Sequence, residues 1–228
     1  CKGVQTNMKI GAIIVAAGRG LRAGGGTPKQ WRPLAGATSA AFALRAFLGH
    51  PAVSDYALIV HPEDLDNPSY PRDPGVAVVP GGATRSASVL AGLRALHDRV
   101  DAVLIHDAAR PCVTQTLIDG VIDALQSAKA AAPAVPVVDA LWSGENGRVT
   151  GTVSRDGLYR AQTPQGFHLA DILAAHEAFP DGATDDVELA RRAGLEVVIT
   201  PGDEDNLKIT TAADFARAEA ILRRQDGH

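Results

Sequence analysis

Arg22 and Lys29 stand in a glycine-rich stretch, IGAIIVAAGRGLRAGGGTPKQW at residues 10 to 31, where cations and exposed amides together suit a polyphosphate. Gly20, Gly24, Gly25 and Gly26 open backbone conformations closed to other residues and let N–H groups face phosphate oxygens. Arginine adds a planar delocalised cation and lysine a compact one. Ala16, Ala17 and Gly18 are small enough for a ligand to approach the main chain. A basic surface loop has the same composition, so the stretch carries weight only if other groups converge on it. It is not a P-loop: Lys29 follows Pro28 and precedes Gln30, and GRGLRA does not satisfy the dinucleotide fingerprint.

The complement lies in DAVLIHDAARPCV, residues 101 to 113. An apolar run delivers His106 and Asp107 to its end, the place where open α/β sheets hold ligands. Asp107 is a candidate ligand for Mg2+, a hard ion that takes carboxylate and phosphate oxygens. His106 either orients that carboxylate or satisfies a local hydrogen bond, and Arg110 either meets a second anion or forms a salt bridge. Lys208, after the acidic DEDN at 203 to 206, is open to the same two readings. In PGGATRSASV at 80 to 89, Ser86 and Ser88 at a helix start offer donors to a nucleotide, with capping the competing explanation. His50 and His61 belong to no ligand cluster and read as surface or interface residues.

The elements that must position these groups alternate between strand and helix. Ile10–Val15, 53–61, 76–79, 102–105, 130–138 and 195–200 read as strands; 39–48, 117–125, 169–179, 185–193 and 212–224 read as helices, and 80–96 as a glycine turn leading into another. Pro133 and Pro136 argue against a regular central strand over 130–138. The span 141 to 167 mixes turn signals with short extended pieces, and Asn146-Gly147 is a hairpin turn signal. Trp142, Tyr159 and Phe167 would bury this arm in its own domain or in a partner.

A chain of 228 residues with 46% hydrophobic content suits one large domain, expected over 9–224, with 1–8 an extension or an expression remnant. With 22 basic against 26 acidic residues the net charge of −4 argues against a general nucleic-acid binder. Cys1 and Cys112 build no disulfide framework, which favours a reducing, cytoplasmic setting. No apolar run approaches the ~20 residues of a bilayer span, so no membrane role is expected.

Five segments taken together resemble one family. AAGRGLRAGGGTPKQW, GGATRSASV, HDAARPCV, SRDGLYRAQTPQGF and DNLKIT are similar to the motifs of the 2-C-methyl-D-erythritol 4-phosphate cytidylyltransferases, and the likeness runs over residues 9 to 223. The resemblance implies a three-layer Rossmann-like α/β nucleotidyltransferase fold with a mostly parallel sheet and a projecting β-arm at 139–165. It implies Mg2+-dependent transfer of CMP from CTP to the polyol phosphate, with direct attack on the α-phosphorus. By the same resemblance Arg22, Lys29 and Lys208 are catalytic, and Asp107 holds the metal. Ala16, Ala17, Gly18, Gly20, Gly81, Gly82 and Ser88 contact the nucleotide. Arg110, Arg155 and Thr184 bind the second substrate, with Arg155 reaching the other subunit of a homodimer. Ala140 stands where many relatives carry threonine, and Ala83 where some carry an acidic residue. Ala140 leaves a related acceptor, ribitol 5-phosphate or another polyol phosphate, as the alternative. A nonenzymatic nucleotide-binding protein is the lower alternative.

Overall fold

A computed structural model describes residues 8–19, 27–67, 69–225 and 227. The Gly20 and Arg22 expectations lie outside the described residues. The sheet is built around β1 (Ile10–Ala16), flanked on both sides by parallel strands: β4 (Val53–Val60) and, beyond it, β5 (Val76–Pro80) on one side, and β6 (Ala102–Asp107) on the other. Past β6 come β11 (Gln165–His168), antiparallel, and β7 (Ala130–Pro136), which carries β12 (Val198–Pro201) in parallel at the far edge. β10 (Tyr159–Ala161) lies antiparallel to the end of β7, so β10 and β11 form one interrupted strand. A two-stranded ribbon, β2 (Pro33–Leu34) and β3 (Ala37–Thr38), precedes the first helix.

The apolar runs of β1 and β6 are continuous because both faces of the sheet are covered. Ile10, Ala12 and Ile14 point into one cluster with residues of α1 (Ser39–Leu48) and α3 (Gln115–Leu125). Ile13, Val103 and Ile105 point the other way, against α2 (Arg85–Leu96), α4 (Leu169–Ala178) and α5 (Asp186–Arg192). This makes a three-layer α/β/α sandwich around a mostly parallel sheet, as in Rossmann-like folds. A third cluster joins α6 (Ala212–Gln225) to Leu34, Cys112, Leu207 and Ile209. Threonine side chains start three of the helices: Thr38, Thr84 and Thr114 accept from the N–H groups of Ala41, Ala87 and Leu117.

Three local expectations need correction. Pro133 sits within β7, at a point where the neighbouring strand is interrupted. In a strand the N–H and C=O of one residue point the same way, and the Pro133 carbonyl faces Gln162 N–H at 2.9 Å, in the interruption between β10 and β11. The arm is shorter than 139–165. Its hairpin is β8 (Leu141–Glu145) and β9 (Arg148–Val153), turned at Asn146 and Gly147 with φ of 50° and 74°, whereas Tyr159–Ala161 has returned to the main sheet. His50 is buried rather than superficial: its Nδ1 accepts from Ala52 N–H at 3.2 Å and its Nε2 faces Asp119 Oδ1 at 3.1 Å. Phe167 is fully buried, while Trp142 on the hairpin is 68% exposed.

Candidate active site

The end of β1 opens a cavity of about 590 Å³. Its floor is the turn Ala16-Ala17-Gly18. Gln30, buried in the 3-10 turn after the glycine loop, donates from Nε2 to the carbonyls of Ala16 at 2.7 Å and Gly18 at 2.8 Å. With both carbonyls tied back, the other side of that turn is left to face a ligand. Opposite stands the turn before α2. Gly81 has no side chain because a Cβ there would lie 2.5 Å from Ala17 Cβ. Ser88 holds that turn: its hydroxyl donates to the Thr84 carbonyl at 2.9 Å and accepts from Gly82 N–H at 3.1 Å. Ser88 therefore shapes the wall with a hydroxyl already engaged, and Ser86 turns away toward His176 at 3.2 Å.

Asp107, the last residue of β6, brings the carboxylate. Lys208 Nζ donates to its Oδ2 at 2.7 Å, and Arg85 Nε approaches its Oδ1 at 3.4 Å. Burial alone would raise the Asp107 pKa, but the charges of Arg85, Lys208 and Arg110 and the lysine hydrogen bond hold it well below the carboxylate range. Lys29 Nζ donates to the Ile209 carbonyl at 2.6 Å, tying the first loop to the segment that carries Lys208. Among the described residues the lining holds four cations, Arg19, Lys29, Arg85 and Lys208, against one carboxylate. Such a wall selects an anion.

His106 proves to be a buried support. Its Nε2–H donates to the Arg110 carbonyl at 3.0 Å, so the neutral ring leaves Nδ1 to accept from the Thr163 hydroxyl at 3.0 Å. The oxygen of Thr163 in turn accepts from Asp107 N–H at 3.2 Å. Burial pushes the His106 pKa down to about 4, which keeps the ring neutral.

The site thus gathers Ala16, Ala17, Gly18, Lys29, Gly82, Ser88, Asp107 and Lys208 at one cavity, with Gly81 packed beneath it. Arg110, Arg155 and Thr184 do not line it. Arg110 is buried and donates to the carbonyls of Asn206 and Ala161, at 2.7 and 3.2 Å, with its Nε unpartnered. Thr184 lies before α5 with its N–H on Glu188, and Arg155 follows the hairpin and donates to the Val138 carbonyl. Sequence reasoning missed Arg85, Gln30 and His61, all of which line the cavity. An arginine opening a helix reads as a solvated charge, and its partner Asp186 is too far along the chain to pair by eye.

Among the described residues no three His, Cys, Asp or Glu side chains gather to hold a metal. A lone carboxylate still fits Mg2+, which keeps water and takes one or two protein oxygens when phosphates supply the rest. Asp107 is ionised and its Oδ1 is only loosely approached, so the donor set matches that pattern.

In sequence and fold the chain is similar to known proteins. A profile of the family described as "IspD: 2-C-methyl-D-erythritol 4-phosphate cytidylyltransferase" matches residues 10–224. The 2-C-methyl-D-erythritol 4-phosphate cytidylyltransferase of Roseobacter denitrificans is 69% identical over 97% of this chain and 100% of its own. A bifunctional enzyme IspD/IspF of Paracoccus denitrificans is 60% identical over 92% of this chain, which spans 55% of that protein. A solved 4-diphosphocytidyl-2C-methyl-D-erythritol synthase superposes with a TM-score of 0.84 at 31% identity, covering 95% of this chain and 100% of that one. Cavity, sheet and sequence lead to one conclusion: the chain belongs to the 2-C-methyl-D-erythritol 4-phosphate cytidylyltransferase family.

Proposed function

We propose that this protein transfers CMP from CTP to 2-C-methyl-D-erythritol 4-phosphate, with Mg2+, and releases pyrophosphate. The observation that carries the reading is the meeting, at one cavity, of the Ala16–Gly18 turn, Lys29, Gly82, Asp107 and Lys208. The triphosphate takes the cationic wall, and the nucleoside takes the space between the β1 turn and the turn before α2. The acceptor phosphate is already anionic near neutral pH, so its attack on the α-phosphorus needs no general base. Lys29, Lys208 and Arg22 then stabilise the charge that gathers on the phosphoryl oxygens. Asp107 would hold Mg2+, which supplies charge neutralisation across the phosphates when bound.

Arg110, Arg155 and Thr184 serve the acceptor, Arg155 from the arm of a second copy in a homodimer. The exposed Val138, Trp142, Val149 and Val153 on and beside that arm give the copy an apolar surface to cover. No helix among the described residues is long and apolar enough to cross a membrane. Use of CTP suits a cytoplasmic enzyme. The test is pyrophosphate release from CTP with methylerythritol phosphate or ribitol 5-phosphate, with the products identified. Formation of CDP-methylerythritol supports the reading. Turnover confined to ribitol phosphate, or binding of CTP with no release, would overturn it.

A further inference from the structure

Arg85 spans two carboxylates and treats them differently. Its Nη1 donates to Asp186 Oδ2 at 2.8 Å, a full-strength contact, while its Nε stays 3.4 Å from Asp107 Oδ1. Asp186 is 1% exposed and sits at the start of α5. Its other oxygen meets His176 Nε2 at 3.0 Å, and His176 Nδ1 meets the Ser86 hydroxyl at 3.2 Å. Because the carboxylate can only accept, Nε2–H donates to Asp186. The result is a chain from Ser86 through His176, Asp186 and Arg85 that ends beside Asp107.

An arginine this close to a carboxylate normally closes on it as a two-pronged pair, with both N–H contacts below about 3 Å. Such closure would lay one N–H on each oxygen, drawing the guanidinium onto the near side of Asp107 Oδ1 and crowding Oδ2, which Lys208 already holds at 2.7 Å. The tether on Asp186 prevents it. We propose that Asp186, supported by His176, is a positioning residue that restrains Arg85 and so keeps Asp107 Oδ1 open to the metal that accompanies the triphosphate. This rests on the assignment of Asp107 made above. It places a charge on α5, outside the cavity lining, in control of an oxygen within it.

The assay is calorimetric titration of the full chain with CTP, with and without Mg2+, which yields the gain in affinity that the metal confers. D107N is measured first. Loss of the gain supports the assignment of Asp107, and its survival overturns both that assignment and the tether. With Asp107 confirmed, D186N frees Arg85 to close, and the gain falls by about tenfold or more while metal-free CTP affinity stays within about threefold. The distinguishing variant is R85Q/D186N. Without the arginine nothing can cap Asp107, so the double variant recovers most of the gain lost in D186N. A full gain in D186N, or a double variant as poor as D186N, would sink the tether while leaving Asp107 in place. Thermal midpoints recorded alongside separate this from unfolding. If D186N does not fold, H176N keeps the Asp186 charge but loosens it, giving a loss of about threefold that R85Q again relieves; a full gain in folded H176N, or no relief by R85Q, would overturn the tether.

Discussion

Lys208 and Lys29 do different work although both are lysines at one cavity. Lys208 pairs with Asp107, 42% exposed and able to swing to a phosphate, whereas Lys29 is anchored on the Ile209 carbonyl. K208A and K29A are each expected to lower kcat by about 100-fold, the usual cost of removing one charge-stabilising donor, in steady-state pyrophosphate release with thermal midpoints near the parent. His106 makes a separate prediction about stability. Its pKa in the folded chain, about 4, is depressed below the ordinary 6.5, so the unfolded chain binds more protons between those values. The stability it confers is complete above pH 6.5 and drains as pH falls toward 4. Two and a half pH units correspond to about 3 kcal/mol. Urea unfolding from pH 7.5 to 4.5 should show this loss in the parent, and a smaller one in H106Q.

At the scale of elements, glycines show where backbone contact is obligatory. G81A would drive a methyl into Ala17 at 2.5 Å, an overpacking worth about 1–3 kcal/mol that also displaces the β1 turn. Its CTP affinity, by titration, is expected to fall by about tenfold. G120A is the contrast. Gly120 is inside α3 with nothing within 4 Å of a new Cβ, so alanine should stabilise by about 0.5–1 kcal/mol in urea unfolding. Most elements were legible in the sequence because their signals are local. Alternation between Ile/Val runs and amphipathic helices marks the sandwich, and Asn146-Gly147 marks a turn that needs positive φ at both residues. What was illegible depends on distant partners. The return of Tyr159–Ala161 to the sheet is decided by β7, and the tolerance of Pro133 by a gap in the strand beside it. Likewise Lys29, Asp107 and Lys208 are visible as residue types in motifs. Arg85 acquires meaning only from Asp186, 101 positions away.

For the whole molecule, the placement of Arg155 outside the cavity makes a prediction about assembly. If each site borrows Arg155 from the other copy, K29A and R155A are each inactive alone, yet a mixed dimer holds one intact site. Random mixing should then restore about a quarter of parent activity, since half the dimers are mixed and half their sites are whole. No recovery after exchange of folded subunits would place Arg155 in its own chain's site. The interrupted strand has one more consequence. The chain leaves the sheet at Pro136 and rejoins it at Tyr159, and these two residues are paired neighbours, with Val137 N–H donating to the Leu158 carbonyl at 3.0 Å. The arm is therefore an excursion whose two ends already touch. It can be cut out and the stem closed with a two-residue turn without breaking the rungs that hold β10 to β7. Such an abridged chain should sediment as a folded monomer that binds CTP with near-parent affinity but makes no product, separating the part that holds the nucleotide from the part that completes the enzyme.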